Sequence, residues 1–154
     1  MASAAVAFDV REVAGLSRRL ASLSLTAGKR RELLANLGAE LEAQIVERFD
    51  TKKAPDGTPW EALSERYAAY LADKFPGARP QLVVSGSLRD TVESQPGDWE
   101  VLAGATKIYA ARHNFGYEDV TPARPFIGIS AENEEDLEGI VDETMKANIT
   151  EAAK

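Results

Sequence analysis

Residues 33–49, LLANLGAELEAQIVERF, decide how the rest of the chain is read. Leu33, Leu34, Leu37, Leu41, Ile45 and Phe49 recur at three- and four-residue steps, the spacing that stacks side chains on one face of an α-helix. Arg30, Glu40, Glu47 and Arg48 are assigned to the other faces. The segment after the Thr26-Ala27-Gly28 break therefore predicts a long amphipathic helix with one buried stripe. Gly38 within it costs up to ~1 kcal/mol of helix propensity relative to Ala, which predicts that another helix or a backbone segment approaches closely there.

Toward the N-terminus, Val10, Val13, Leu16, Leu20 and Leu23 repeat the same spacing, and Asp9 is placed to cap a first helix running to about Leu23. Toward the C-terminus, residues 50–59, DTKKAPDGTP, carry the strongest turn chemistry of the chain in Pro55, Asp56 and Gly57. A mobile surface loop is expected there, with further mobility at both termini and over residues 114–123. The loop leads to Trp60 and then to a helix from about Ser64 to Phe75, whose Tyr67, Tyr70, Leu71 and Phe75 fall at helical spacing and are expected in the core. Pro76-Gly77 ends it.

Past this point the period changes. Leu82–Val84, Leu88–Val92 and Trp99–Ala103 are short apolar or β-branched runs divided by Ser-Gly and Pro-Gly-Asp steps, as in an antiparallel sheet. Pro96-Gly97-Asp98 reads as a hairpin turn, and Lys107–Ala111 and Phe126–Ile129 as further strands. Ser130, followed by Glu132, Glu134, Glu135 and Asp136, opens a last helix with an N-cap and acidic first turns, and Leu137, Ile140, Val141 and Met145 supply its buried side. The fold class is α+β: N-terminal helices, a small antiparallel sheet and a C-terminal helix. No repeat or linker divides the 154 residues, so 1–154 is expected to be a single domain.

Composition narrows function. Without cysteine the chain has no disulfide, thiolate metal site or cysteine nucleophile. No run approaches the roughly 20 apolar residues of a membrane span, so no membrane partner is expected. The net charge is -7, and residues 130–154 hold eight acidic side chains against two lysines. That disfavours a phosphate-gripping surface, with Lys29-Arg30-Arg31 and Lys52-Lys53 read as solvated local exceptions.

His113 is the only histidine. Any nucleophilic triad or imidazole metal site must run through it, and neither a GxSxG elbow nor a phosphate-cradling glycine motif accompanies it. A small hydrolase using His113 is thus the weaker alternative to a partly buried hydrogen-bonding residue in a strand that ends at Phe115-Gly116. In PARPF, Pro122 and Pro125 stiffen the entry to Phe126, and Arg124 between them can fork onto carbonyls or a carboxylate, of its own subunit or of a neighbour. Trp60 and Phe126 are expected to be buried, in the core or at a subunit interface.

The succession ERFDTKKAPDGTPWEALSERY, LVVSGSLRDTV, VLAGATKIYAARHNFG and PARPFIGISAENEEDLEGIV resembles the phage virion morphogenesis family, the tail-completion proteins of Mu-like and related contractile-tailed phages and prophages. Thr91 stands where that family often has Ser, and Asn114 where it often has Gln. The resemblance implies a structural virion protein of the tail or neck, made in the host bacterial cytoplasm, with no catalytic residues and no cofactor. It implies an α+β fold like that of tail-terminator and neck proteins. It also implies self-association into a ring, a hexamer, that completes the tail, meets the tail tube or sheath and the neck or connector, and lets DNA pass without specific binding. A head-side neck protein is the alternative. The structural and assembly residues implied are Trp60, Arg89, Tyr109, His113, Phe115, Arg124 and Phe126.

Overall fold

In the computed structural model, which describes residues 6–9, 15, 18, 24–77 and 81–152, the dominant element is helix α1 (Ala27–Thr51). The Thr26 hydroxyl accepts from the Lys29 amide at its start, and Lys52 closes its end in a left-handed conformation with φ 59°. The stripe is buried as its spacing requires, with Leu33, Leu34, Leu37, Leu41, Ile45 and Phe49 each 2% exposed or less.

The sheet has three antiparallel strands in the order β1 (Val6–Asp9), β3 (Val101–Ala105), β2 (Val92–Pro96). The β2–β3 hairpin turns at Pro96-Gly97-Asp98, where the Gly97 amide donates to the Glu100 carbonyl at 2.7 Å. Val101, Ala103 and Ala105 alternate inward along β3 while Leu102 faces out. These small residues let α1 lie close to the sheet. The tightest point is Gly38, where an added Cβ would stand 2.6 Å from the Ser94 hydroxyl and 3.0 Å from a Val101 methyl. The close approach expected at Gly38 is thus a helix on a sheet.

Two further helices flank this frame. Helix α2 (Glu65–Lys74) is capped by Ser64 and buries only Leu71, while Tyr67, Tyr70 and Phe75 are 46%, 51% and 48% exposed. The expectation that these aromatics are core is corrected: α2 touches the body along one edge, and Tyr67 and Tyr70 stack on each other in solvent. Helix α4 (Ala131–Ala152) packs along α1 through the buried Leu137 and Val141, with Ile140 and Met145 partly buried beside them. Its cap is Ser130, whose hydroxyl accepts from the Asn133 amide.

Four other sequence expectations change. Asp9 is the last residue of β1, where the sequence placed the start of a helix; Gly15 and Arg18 are helical, and the remainder of the expected first helix lies outside the described residues. Gln81 and Leu82 take positive φ of 62° and 64°, so residues 82–84 do not run as a strand and Val83 alone makes a single bridge. In 88–91 a 3-10 turn, Arg89–Thr91, precedes β2, because the Thr91 hydroxyl and amide both go to the Leu88 carbonyl. The basic run is not simply solvated. Lys29 meets Glu151 and Asn148, and Arg30 lies 3.5 Å over the Trp99 ring, so these side chains join the α1 start to the α4 end and to the hairpin.

Phe126 is fully buried against Phe49, with ring centroids 5.0 Å apart, and Phe49 meets Trp60 edge-on at 5.8 Å. Phe126→Ala is expected to cost about 3–5 kcal/mol by the transfer and cavity terms together, read as a shift of the chemical denaturation midpoint.

Candidate functional site

The segments expected as strands at 107–111 and 126–129 are where the sequence reading departs most from the structure. Residues 110–115 instead form a short helix, α3 (Ala110–Phe115), begun by a turn in which the Ala110 amide donates to the Lys107 carbonyl and ended by Gly116 at φ 79°. His113 and Phe115 are therefore helical. Residues 126–129 join no sheet, because side chains take the places of a neighbouring strand. The Asn114 side-chain oxygen accepts from the Phe126 and Ile127 amides, both at 3.0 Å, and Arg48 Nη1 donates to the Phe126 and Gly128 carbonyls at 2.9 and 2.8 Å. Buried backbone groups need partners, and here two side chains supply what a ladder would.

Arg48 is 6% exposed and Asn114 is 4% exposed. Arg48 Nη2 also reaches the Asn133 side-chain oxygen at 2.5 Å, which ties the end of α1 to the first turn of α4. Burial lowers the Arg48 pKa, with Glu47 acting in the opposite sense, and the group stays charged because a guanidinium starts so high. The assignment of Arg48 to a solvent face is thus corrected. Its position seven residues after Leu41 and three after Ile45 had placed it on the apolar stripe, and that spacing was the signal. Asn114 carried no comparable signal.

Around α3 the structure gathers three of the seven expected site residues. Tyr109, His113 and Arg124 line a cavity of about 200 Å³ between α2, the 81–88 segment and α3. Arg124 is 6% exposed, and its Nε and Nη2 donate to the Glu61 and Ala62 carbonyls at 3.0 and 3.3 Å. The fork is spent on carbonyls of its own chain, and its own amide donates to the His113 carbonyl at 2.8 Å. Burial lowers the Arg124 pKa, opposed by Glu61 and Tyr67. The Tyr109 ring stands edge-on to the imidazole at 5.8 Å, and its hydroxyl lies 3.4 Å from that of Ser87.

His113 has a buried Nδ1 without a hydrogen-bond partner. Its pKa is lowered, first by burial and then by the positive charges of Arg124 and Arg112, so the imidazole is neutral near pH 7. Among the described residues no serine hydroxyl and no carboxylate is hydrogen-bonded to it, so the nucleophile, base and orienting acid of a triad are not assembled there. Nor do the described residues bring together three or more acidic or imidazole groups able to hold a metal ion.

The other expected residues lie elsewhere. Trp60 is 5% exposed and donates its indole N–H to the Pro125 carbonyl at 2.8 Å, which fixes the proline-braced step onto the 52–60 turn. Phe126 is in the core. Arg89 pairs with Asp50 at 3.2 Å on a half-exposed surface, a contact worth about 0–1 kcal/mol. Phe115 is 72% exposed.

Replacing Arg48 by Ala is expected to lower stability by roughly 1–3 kcal/mol for each buried acceptor left unmet. Arg48→Lys is expected to recover little of this, because an ammonium cannot fork between two carbonyls and a side-chain amide; denaturant titration of both variants checks it. For His113 the folded pKa lies below the unfolded value of about 6.5, so the folded state binds fewer protons. The resulting stability is complete above that value and is lost as pH falls through and below it. His113→Gln is expected to flatten the fall in melting temperature between about pH 7 and 5, a window above the range in which ordinary carboxylates titrate.

A model of the phage virion morphogenesis family matches residues 11–146. The Mu-like prophage FluMu G protein 1 of Haemophilus influenzae is 29% identical over 112 residues, covering 72% of this chain and 76% of the relative. The putative capsid assembly protein G of Escherichia phage Mu is 29% identical over 142 residues (86% and 87%), and the tail completion protein S of Escherichia phage P2 is 26% identical over 128 (77% and 85%). No solved structure matches the chain. With most of its length inside that family model, the chain belongs to the phage virion morphogenesis family and has a structural role.

Proposed function

We propose that this protein completes the phage tail by forming a ring at its head-proximal end, a hexamer, which enables the tail to join a DNA-filled head. The observation that carries this reading is the continuous family match over residues 11–146, with a tail completion protein among the relatives. The structure supports it in two respects. The buried Arg48, Asn114 and Arg124 all serve to fix backbone, as a rigid assembly subunit needs, and the large apolar and aromatic residues left outside the core supply contact area. Tyr67, Tyr70 and Phe75 on and after α2, and Ile108, Tyr109 and Phe115 on and before α3, are all more than a third exposed.

In this reading Trp60, Arg124 and Phe126 hold the subunit in shape, while Arg89, Tyr109, His113 and Phe115 border its contact surfaces. A heterologous contact repeated around an axis closes a ring without chemistry, so the protein is not an enzyme. Its partners are copies of itself, the tail tube or sheath and the neck, and it resides in the virion. A net charge of -7 repels the phosphates of DNA passing through the ring.

A head-side position is the second reading, favoured by one observation: the phage Mu relative is named a capsid assembly protein. Particles made without this protein are expected to appear by negative-stain microscopy as separate filled heads and full-length tails. Normally joined particles would overturn the proposal. Immunogold labelling of separated heads and tails is expected to mark the tail end, and label confined to heads would replace the tail-side reading by the head-side one.

A further inference from the structure

The cavity beside His113 is lined by a cation and by no anion, and the negative charge that favours the Arg124 cation, that of Glu61, is not part of its lining. Leu63, Leu71, Leu82, Val84 and Leu88 form the apolar part of its walls, and its lining includes Arg124 but no carboxylate. Among the described residues Arg124 meets carbonyl oxygens and no carboxylate at ion-pair distance. At about 200 Å³ the space lies below the ~300–1,000 Å³ usual for a small-molecule site, and it matches one inserted side chain with its neighbour. It calls for an anionic group beside an apolar one.

The same chain presents such a group. Residues 117–121, Tyr-Glu-Asp-Val-Thr, form a tight closed turn in which Tyr117 and Thr121 exchange both backbone hydrogen bonds, at 2.9 and 3.1 Å. Arg112 braces its base, donating to the Thr121 hydroxyl at 3.1 Å and lying 4.7 Å over the Tyr117 ring. The turn is therefore ordered before any contact, which lowers the entropy cost of binding. Tyr117 is 50% and Val120 67% exposed, with the Glu118 and Asp119 carboxylates exposed between them. None of these residues lines the cavity of its own chain.

We propose that the acidic turn 117–121 of one copy inserts beside Arg124 in the cavity of a second copy, with Val120 against the apolar walls and a carboxylate of Glu118 or Asp119 facing the guanidinium. The contact is heterologous, turn to cavity, so each copy uses both surfaces and the arrangement repeats from subunit to subunit. It rests on the ring reading above and identifies which surfaces of the subunit meet.

The absence of native cysteine makes the test direct. Val120→Cys and Ser85→Cys place one thiol on the turn and one on the cavity lining, both at exposed positions. When the two purified single variants are mixed and oxidised, the mixed disulfide dimer is expected in on the order of tenfold excess over either homodimer, because docking raises the local thiol concentration. Reversing both turn charges, Glu118→Lys with Asp119→Lys, is expected to abolish that excess and to reduce the oligomer in sedimentation. A mixed dimer no more abundant than the homodimers, or an oligomer unchanged by the charge reversal, would overturn the contact. Particles that still join through this protein in that case leave tail completion standing and remove the turn-to-cavity contact alone.

Discussion

The structure depends on one buried guanidinium. Arg48, at the end of the longest helix, holds two carbonyls of the 126–128 segment and the side chain of Asn133, and so joins α1 to a stretch of chain some 80 residues away. A charge taken out of water is tolerated only where its donors are met, and the planar fork of arginine meets three acceptors from one position. Because Arg48 holds the carbonyls of this segment and Asn114 holds its amides, the segment bends past the core, with Phe126 inside it, without belonging to a sheet. Phe126 is thereby delivered onto Phe49, and the ring of Trp60 closes over the same point.

Arg124 works by the same physics on a smaller scale. Its fork fixes the chain between Trp60 and α2, and its amide fixes the C-terminal side of the 117–121 turn to α3. The region around His113 is thus rigid framework. The imidazole there is kept neutral by burial and by the two nearby cations Arg124 and Arg112. What the framework leaves outward is a set of aromatic and acidic features on short, well-braced elements, material for contacts between subunits.

Much of the fold was legible. The stripe of α1, the cap and acidic opening of α4, the Pro-Gly-Asp hairpin and the close approach at Gly38 all follow from local rules of spacing and turn chemistry, and each formed where those rules put it. The failures share a cause. At 107–111 and 126–129 apolar runs of strand-like composition were read as strands, yet a strand needs a partner edge, and period alone does not say whether one is available. At 107–111 a local turn led into a helix; at 126–129 the partners were side chains from α1 and α3. The aromatics of α2 were misplaced because helical spacing marks a common face without saying whether anything covers it.

The sequence by itself therefore determined the class of fold, the long helix, the hairpin, the last helix and the family, since all of these are written in residues near one another or in an ordered series of short motifs. Only the tertiary structure decided that Arg48 is interior, that Arg124 spends its fork within its own chain, and that Tyr109, His113 and Arg124 share a cavity. Those outcomes turn on which buried carbonyls are left without a backbone donor, and that is settled only when segments some 60 to 80 residues apart are packed together.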